Sequence, residues 1–545
     1  MWSSRQGSRG ADEPKREPPE PASGFPLELP AAAADIPAMA NEVVLDGNSL
    51  RIEDVVAVAR DFTPVALSRP ACERAASARR TVDRLVADGA VVYGVTTGFG
   101  KLSDVAIPPA RLAELQRNLI RSHSAGVGDP MPEPEVRAMM LLRANVIVKG
   151  YSGARPELAE LLSKMLNARL HPRVPEQGSV GASGDLAPLA HLALSLIGEG
   201  ELRCGDETGD AAAMLRSAGL EPVTLQPKEG LSLINGTQAH TAVGTLALVD
   251  AHKLWRVANI AGAMTLEALM GTPTAFDARI QDARGQLGQA AAAAALRDLL
   301  ADSEIRESHR LGDRRVQDPY CLRCMPQVHG PVLDAIDFCA GVIGRELNAA
   351  TDNPLIFDDE LLSGGNFHGQ SVAMALDFMA IAVTNLAVIA ERRIDRLVNP
   401  DLSEGLPSFL TRDAGVNSGL MMAQVAAAGL TSECKVLAHP ASVDSIPTGG
   451  GKEDVVPMAM AAAWKLRRVI RNVRYVLSIE LMCAAQGVDF RAPLRPGRGV
   501  ARAHATIRHH VATLESDRVL SSDIERISKA IDDDELTPRG AWAAA

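Results

Sequence analysis

The chain has 545 residues, of which 46% are hydrophobic and 23% charged, and its formal net charge is -11. These proportions exclude a wholly disordered or fibrous protein, and the acidic charge argues against a nucleic-acid-binding protein, which usually carries a basic face. The seven scattered cysteines, an odd number, favour the reducing cytoplasm over a disulfide-stabilised secreted protein.

The first 41 residues differ in composition from the rest of the chain. They hold seven of the 33 prolines together with mixed charges, and no apolar stretch of the secretory-signal kind follows the N-terminus. We predict a disordered tail over residues 1–41; an upstream start codon or a partner-binding arm would also explain this composition. Ordered structure is expected to begin at residues 42–47 with a short strand and a turn.

Helical periodicity dominates the remainder. Leu112, Leu115, Leu119 and Ile120 recur at the spacing of one helix face, and the pattern continues over residues 133–149. Long stretches rich in alanine and leucine follow at residues 241–270, 330–349, 371–398, 419–437 and 455–486. Several are apolar on nearly every face, which predicts a mainly α fold with helices inside a large bundle and suggests association between subunits.

One of these stretches, residues 371–390, is about long enough to cross a bilayer. It contains Asp377, Thr384 and Asn385, and charged residues follow it directly. A buried helix explains this composition better than a membrane span.

Polar, glycine-rich joints interrupt the helical pattern. They lie at residues 93–100, 178–185, 235–236, 364–369 and 445–451. Loops of this kind between rigid helices are where functional sites are usually built.

Several common catalytic motifs are absent from the sequence. There is no phosphate-binding Gly-Lys-Ser/Thr loop and no His-Glu-x-x-His zinc motif. Cys321 and Cys324 form a lone CxxC pair without a second pair or a histidine cluster, so we expect a structural role for them and no metal site. Ser183 does not lie in the Gly-x-Ser-x-Gly turn of hydrolases.

The segment 178–191, Gly-Ser-Val-Gly-Ala-Ser-Gly-Asp-Leu-Ala-Pro-Leu-Ala-His, has two interpretations. One is a tight turn into a helix, with Ser183 or Asp185 as the N-cap. The second is a self-made electrophile: the Gly184 nitrogen attacks the Ala182 carbonyl, and loss of the Ser183 hydroxyl leaves an exocyclic methylidene. Ala-Ser-Gly alone is a weak signal, since residues 22–24 repeat it within the predicted tail.

The longer context of that segment resembles the aromatic amino-acid ammonia-lyases, which use a methylidene-imidazolone group (MIO). Further segments match the family in order, at residues 92–100, 231–238, 317–324, 352–354, 364–368 and 438–448. The resemblance spans about residues 42–525. It implies an elongated, aspartase/fumarase-like bundle of long helices with a small mixed α/β N-terminal part. The expected divisions are the tail, 1–41, an N-terminal domain with the MIO loop and Tyr93, 42–245, and the long-helix bundle with a C-terminal helical region, 246–545. It also implies a homotetramer whose sites combine several subunits, with no diffusible cofactor.

Within the family, the chain is most similar to the histidine branch. His123 lies where phenylalanine lyases place apolar residues, and Glu453 stands where they carry glutamine. Residues 317–324 are close to the form that this family motif takes in the histidine branch. The reaction expected from this resemblance removes ammonia from L-histidine and gives trans-urocanate, a step of histidine catabolism.

The resemblance assigns a role to each candidate site residue. Tyr93 would remove the β-proton, although an ordinary tyrosine, with a pKa near 10, needs a pocket that stabilises its phenolate. Arg323 would clamp the substrate carboxylate, and His123 and Glu453 would bind the imidazole. The remaining residues would form the MIO group, position the amine and the ring, or pack beside them: Ala182, Ser183, Gly184, Asn235, Gln317, Tyr320 and Phe367. Without the family, each of these residues is an ordinary packing, capping or ion-pairing residue.

Departures from the family pattern leave the substrate open. The glycines 449–451 and Lys452 replace the Ser-x-Asn-Gln that usually precedes the glutamate, Met325 replaces a glutamine and Pro457 a serine. Lysine beside the imidazole partner suggests that the substrate is a histidine derivative, since Lys452 offers a partner for an additional anionic group, or that histidine itself is turned over slowly. A tyrosine ammonia-lyase or aminomutase, and an inactive structural homologue, are also compatible with the sequence.

Overall fold

A computed structural model of the chain describes residues 42–313 and 315–537. The predicted tail, residues 1–41, lies outside the described residues. Most of the described chain is helical, which confirms the predicted mainly α fold.

The helices of the first part of the chain surround short strands. They are α1 (Ile52–Arg60), α2 (Arg69–Ala87), α3 (Leu112–His123), α4 (Glu133–Lys149), α5 (Pro156–Asn167), α6 (Leu186–Leu196), α7 (Ala211–Ser217) and α8 (Glu229–Ile234). The later helices are α9 (Gln238–Ala268), α10 (Ala278–Asp282), α11 (Leu287–Leu299), α12 (Glu304–Ser308), α13 (Tyr320–Arg323), α14 (Met325–Glu346), α15 (Gln370–Val398), α16 (Met421–Leu437), α17 (Ala459–Asp489), α18 (Arg498–His510) and α19 (Ser521–Asp532).

The strands form four small sheets. They are β1 (Val43–Leu45), β2 (Val65–Leu67), β3 (Val127–Pro130), β4 (His171–Pro172), β5 (Pro175–Gln177), β6 (Glu201–Cys204), β7 (Glu207–Asp210), β8 (Leu355–Phe357) and β9 (Glu360–Leu362). β1 and β2 pair in parallel, while β3–β5, β4–β6–β7 and β8–β9 are antiparallel. Three of these sheets lie before α9, as expected for a mixed α/β N-terminal part.

The core of the bundle consists of three long helices. α9 and α17 have 31 residues each and α15 has 29, so each is about 45 Å long at 1.5 Å per residue. α17 packs against α9, α15 and α16, and α14 packs against α9 and α15. α9 and α17 bury residues on nearly every face, as the sequence predicted.

The start of α17 lies four residues later than the apolar pattern indicated. Met458, just before the helix, is in the left-handed conformation, and Glu453 pairs with Thr448 as an isolated bridge. The segment between the bridge and the helix is irregular, and the N–H of Val456 within it donates to Ser445 Oγ at 3.0 Å.

The expectation that residues 371–390 form a buried helix is only partly correct. Among the described helices, α15 alone is long and apolar enough to cross a membrane, and 72% of its most apolar window is buried. Met374, Phe378, Ile381 and Val388 are nevertheless 58%, 45%, 42% and 46% exposed. Their spacing of four, three and seven residues places them on one face of α15, and the helices within residues 42–313 and 315–537 do not cover that face.

Four helices begin close together, and the glycine-rich joints precede them. The N–H of Asp185, before α6, donates to Gly236 O at 2.7 Å, just before α9. The N–H of Gly369, before α15, donates to Gly181 O at 3.0 Å. A Cβ on Gly181 would lie 2.8 Å from the Cβ of Ala459, the first residue of α17. The loops before α6, α9, α15 and α17 therefore lie next to one another in the bundle, although almost 300 residues of sequence separate the first from the last.

Candidate active site

The loop that carries Ser183 forms the tight turn that its glycines predict. Gly181 and Gly184 have φ of +73° and +71°, and Ala182 and Gly184 pair as bridge partners across the turn. A Cβ on Gly184 would lie 2.0 Å from Gly236 O, so only glycine fits at this position. The backbone is compact enough here to fit the ring that these three residues would form.

Ser183 is held at both its side chain and its carbonyl group. Its Oγ donates a hydrogen bond to Glu453 Oε1 at 2.5 Å, and its carbonyl oxygen accepts one from Asn235 Nδ2 at 2.7 Å. Asn235 Oδ1 is buried and has no hydrogen-bond partner among the described residues. Asn235 therefore presents a free acceptor beside the loop.

Glu453 is fixed by its own turn. Thr448 Oγ1 donates to Glu453 Oε2 at 2.5 Å, and the backbone N–H of Thr448 donates to Glu453 O at 2.8 Å. The turn between them, Gly449–Gly451, has φ of +58°, +65° and +83°, which explains the run of glycines. Both carboxylate oxygens are thus directed by defined donors.

A cavity of about 800 Å³ lies over this loop. Six of the predicted site residues line it: Tyr93, His123, Ser183, Asn235, Phe367 and Glu453. A smaller recess of about 490 Å³ adjoins it and shares Tyr93, Ser183, Phe367 and Glu453 with it. Lys452 lines the recess, and no described residue forms an ion pair with it.

His123 is a neutral hydrogen-bonding group in this cavity. Its Nδ1 lies 2.9 Å from Leu119 O, and a carbonyl oxygen only accepts, so Nδ1 carries the proton and Nε2 is an acceptor. Burial lowers the pKa of His123, against the opposing effects of the Leu119 carbonyl and Glu453. The cavity therefore contains an imidazole acceptor and a carboxylate, which suit a ligand with ring N–H groups.

Tyr93 lines the same cavity from a different segment of the chain. Its side chain is half-buried, and its phenol oxygen accepts a long hydrogen bond of 3.5 Å from the backbone N–H of Gly100. This contact gives the phenol group a defined direction at the cavity wall.

Gln317, Tyr320 and Arg323 are not brought to this cavity within one chain. Gln317 is exposed, Tyr320 is 71% exposed, and the guanidinium of Arg323 lies 4.7 Å from the centre of the Tyr320 ring. They stand on or beside α13, which packs against α14 and α15. Their predicted roles remain predictions.

Two further groups support the site without having been predicted for it. Arg143, in α4, donates to Ser232 O at 2.8 Å and Asn235 O at 3.0 Å, and it also contacts Gln238 Oε1. Burial lowers the pKa of Arg143 to about 10. The sequence signal for Arg143 is its charge, which interrupts the apolar helical pattern of α4.

The second group is Asp185. It takes the N-cap position of α6, as one interpretation of the loop predicted, but its carboxylate makes no capping hydrogen bond. It contacts Ser179 and His240 instead. Sequence alone showed no link between Asp185 and His240, because 55 residues separate them.

Comparison with known proteins gives one consistent result. The sequence profile of the aromatic amino acid lyase family matches residues 50–509. The histidine ammonia-lyase of Anaeromyxobacter sp. (strain K) is 57% identical over 501 residues, which cover 90% of this chain and 98% of that protein.

Solved structures agree with the sequence matches. Histidine ammonia-lyase from Trypanosoma cruzi is 43% identical, with a TM-score of 0.84 over 91% of this chain and 94% of that chain. Tyrosine aminomutase from Streptomyces globisporus is 37% identical, with a TM-score of 0.86 over 91% of this chain and 97% of that chain. The resemblance stated from the motifs is confirmed: the chain belongs to the aromatic amino acid lyase family and is a lyase of that class.

Proposed function

We propose that this chain eliminates ammonia from L-histidine and gives trans-urocanate, with an MIO group formed from Ala182, Ser183 and Gly184. The observation that carries the proposal is the placement of His123 and Glu453 in the cavity that Ser183 lines. An imidazole has two ring nitrogens that need polar partners, whereas a phenyl ring has none. The relative in Anaeromyxobacter that carries the name histidine ammonia-lyase supports the same substrate.

The residues around the loop fit the MIO group. Gly184 admits the close approach of Gly236, and the Asn235 amide already donates to Ser183 O, which becomes the ring carbonyl oxygen. Once formed, the group supplies an electrophilic carbon that eases departure of the amine.

Loss of the Ser183 hydroxyl also changes the state of Glu453. Its Oε1 atom then has no donor from Ser183, while Oε2 keeps the hydrogen bond from Thr448. Oε1 becomes free to accept from a ring N–H of the substrate, and His123 Nε2 is a second acceptor. Both acceptors are used together by the protonated imidazolium ring, which has two N–H groups, whereas the neutral ring has one. Asn235 Oδ1 accepts from the amine, and Tyr93 takes the β-proton.

The carboxylate clamp is proposed to come from a neighbouring subunit. Arg323, Gln317 and Tyr320 lie outside their own chain's cavity, and Tyr320 is 71% exposed. A homotetramer that places them over another subunit's cavity would complete the site. The exposed apolar face of α15 supports such self-association.

Two further features belong to the same proposal. The chain is divided into an N-terminal domain, 42–245, and a helical part, 246–545, with α9 running through the boundary.

A cytoplasmic location fits the free thiols of all seven cysteines.

The experiment is a substrate panel with product identification. Purified protein is incubated separately with L-histidine, L-tyrosine and L-phenylalanine, and products are identified by mass spectrometry and ultraviolet absorbance. Urocanate from histidine is the expected result. Coumarate, cinnamate or a β-amino acid as the main product would replace this proposal with a tyrosine or phenylalanine lyase or an aminomutase.

A histidine derivative with an additional anionic group is the second candidate substrate. Lys452 lines the recess beside Glu453, and its ammonium group has no ion-pair partner among the described residues. Kinetics of the Lys452→Gln variant on histidine test this candidate. Equal kcat/KM for the variant and the wild type on histidine, together with no turnover of acidic histidine derivatives, would remove it.

A further inference from the structure

His240 is a fully buried histidine that none of these steps uses. It is the third residue of α9, and it lines neither the cavity nor the recess. Its Nδ1 atom lies 2.8 Å from Asp185 Oδ2, a close polar contact that does not have the geometry of a regular hydrogen bond, and both side chains are 0% exposed. Its backbone N–H donates to the same oxygen at 2.9 Å. His240 therefore contacts, at two points, the residue that directly follows Gly184.

Asp185 joins His240 to the loop. Ser179 Oγ donates to Asp185 Oδ1 at 2.8 Å, and the N–H of Asp185 donates to Gly236 O at 2.7 Å. A buried carboxylate needs such donors, because water does not reach it. Burial alone would raise the pKa of Asp185, but the His240 ring, the His240 N–H and the Ser179 hydroxyl lower it.

The His240 ring is also held from its other side. A Cβ on Gly369 would lie 2.7 Å from His240 Cε1, so the ring packs directly against the turn before α15. The N–H of Gly369 donates to Gly181 O at 3.0 Å. The ring thus lies between groups that hold the two ends of the loop, Gly181 and Asp185.

We propose that His240 is a positioning residue for MIO formation. Through Asp185 and against Gly369, it holds the turn that presents the Gly184 nitrogen to the Ala182 carbonyl carbon. This inference rests on the proposed function and adds to it a residue outside the cavity.

The step that His240 supports is redox-neutral. The bond between Gly184 N and Ala182 C forms, and the Ala182 oxygen leaves as water with the protons of Gly184 N and Ser183 N. A second water takes Ser183 Oγ, its hydroxyl proton and the Ser183 Cα proton, which leaves a double bond between Cα and Cβ. His240 exchanges no atom in either loss.

Two variants at the same position test the proposal. His240→Asn keeps a side-chain N–H for Asp185, whereas His240→Leu is of similar size and has no donor. The loss of two water molecules is followed by intact mass after a short pulse of protein synthesis, with ultraviolet absorbance of the group as a second readout. We expect the leucine variant to mature about tenfold more slowly, because it loses the close polar contact between the ring and the buried Asp185 carboxylate, and polar contacts to charged groups are of this strength. The asparagine variant is expected to mature at nearly the wild-type rate.

His329→Leu is the matched control. His329 is also 0% exposed, but its partners, Asn259 and Arg393, lie in the bundle. It should lower thermal stability without delaying the loss of water. The inference would be overturned if His240→Leu matured at the wild-type rate. It would also be overturned if both His240 variants, or all three variants, were delayed equally. An unreacted mass in the wild type would overturn the proposed function instead.

Discussion

Single residues decide the chemistry of this site, and Glu453 is the most constrained of them. Its two carboxylate oxygens accept from Ser183 and Thr448, and the chain reverses direction between Thr448 and Glu453 through three glycines with positive φ. After the proposed loss of the Ser183 hydroxyl, the Thr448 donor and this turn still hold the carboxylate before a ligand enters, which lowers the ordering cost on binding.

Replacement of Glu453 by glutamine tests its role. Glu453→Gln should lower kcat/KM for histidine about 100-fold, since roughly 3 kcal/mol is lost with a hydrogen bond to a charged group. Urocanate absorbance measures the rate, and intact mass verifies that the loop has matured. Thr448→Val, which removes one supporting donor, should cost less than about tenfold. A glutamine variant as active as the wild type would contradict the assignment of Glu453 to the imidazole.

Tyr93 is expected to act on the rate of chemistry more than on binding. Tyr93→Phe should lower kcat about 1000-fold with little change in KM, because it removes the group that is proposed to take the β-proton. Steady-state kinetics on histidine measure both constants. Tyr475→Phe is the control, since that phenol donates to Glu525 away from the cavity. Loss of binding without loss of kcat in Tyr93→Phe would argue against a base.

Buried polar contacts connect the elements of the bundle. Arg393 of α15 donates to Glu480 of α17 at 2.5 Å and 2.9 Å, and both side chains are 0% exposed. Thr265 of α9 donates to the same carboxylate at 2.8 Å. One ion pair thus joins the three central helices.

Removal of one partner of this pair should be costly. Arg393→Met leaves Glu480 buried without its cation, and we expect a loss of about 3–5 kcal/mol in the free energy of unfolding. The double variant Arg393→Met, Glu480→Leu should recover a large part of this loss, because no buried charge remains. Urea unfolding measures both variants. A double variant no more stable than the single one would contradict this account.

A pH dependence follows from the contact between β4 and α4. His171 is 3% exposed, burial lowers its pKa to about 3, and Arg137, 2.8 Å from its Nε2, lowers it as well. An unfolded histidine has a pKa near 6.5, so below that pH the unfolded chain binds a proton that the folded chain does not. The stability present at neutral pH is therefore lost as pH falls from about 6.5 towards 3, by up to about 1.4 kcal/mol per pH unit.

The variant His171→Gln should weaken this dependence. Between pH 7.5 and pH 5, the wild type should lose about 2 kcal/mol more stability than the variant, measured as urea midpoints at each pH. His439→Gln, at a position outside the core, should behave like the wild type. Parallel pH profiles for wild type and His171→Gln would show that His171 does not cause the acid sensitivity.

At the scale of the whole molecule, the part of the chain that the structure describes leaves an apolar surface uncovered. Phe338 and Phe378 are 57% and 45% exposed, and their rings meet edge to face at 5.7 Å between centroids. With Met374, Ile381 and Val388 they form a surface that a monomer would expose to water. Such surfaces mark interfaces, which fits the proposed homotetramer.

A charge on this surface should separate the subunits. Phe378→Glu is expected to shift the protein to smaller species in light scattering and, with them, to lose activity, because Arg323 would no longer reach a neighbouring cavity. Val44→Glu is the control: Val44 is 52% exposed on β1, in the N-terminal part of the chain, and its variant should assemble normally. An active, dissociated Phe378→Glu variant would contradict a site built from several subunits.

The sequence determined much of this protein by itself. Helical spacing and all-apolar stretches predicted the mainly α fold, since a helix without a polar face must be enclosed. The glycines around Ser183 predicted the tight turn, because positive φ at Gly181 and Gly184 is a local property of the backbone. Motifs in order along the chain indicated the family.

Only the tertiary structure decided which distant groups meet. Ser183 and Glu453 are 270 residues apart, and Asp185 and His240 are 55 apart, yet each pair is within 3 Å. Periodicity reports which face of an element is buried but not which partner covers it, so these contacts had no local signal. The same reason explains α15: its sequence showed an apolar helix, and only the packed bundle showed which face the other described residues leave uncovered.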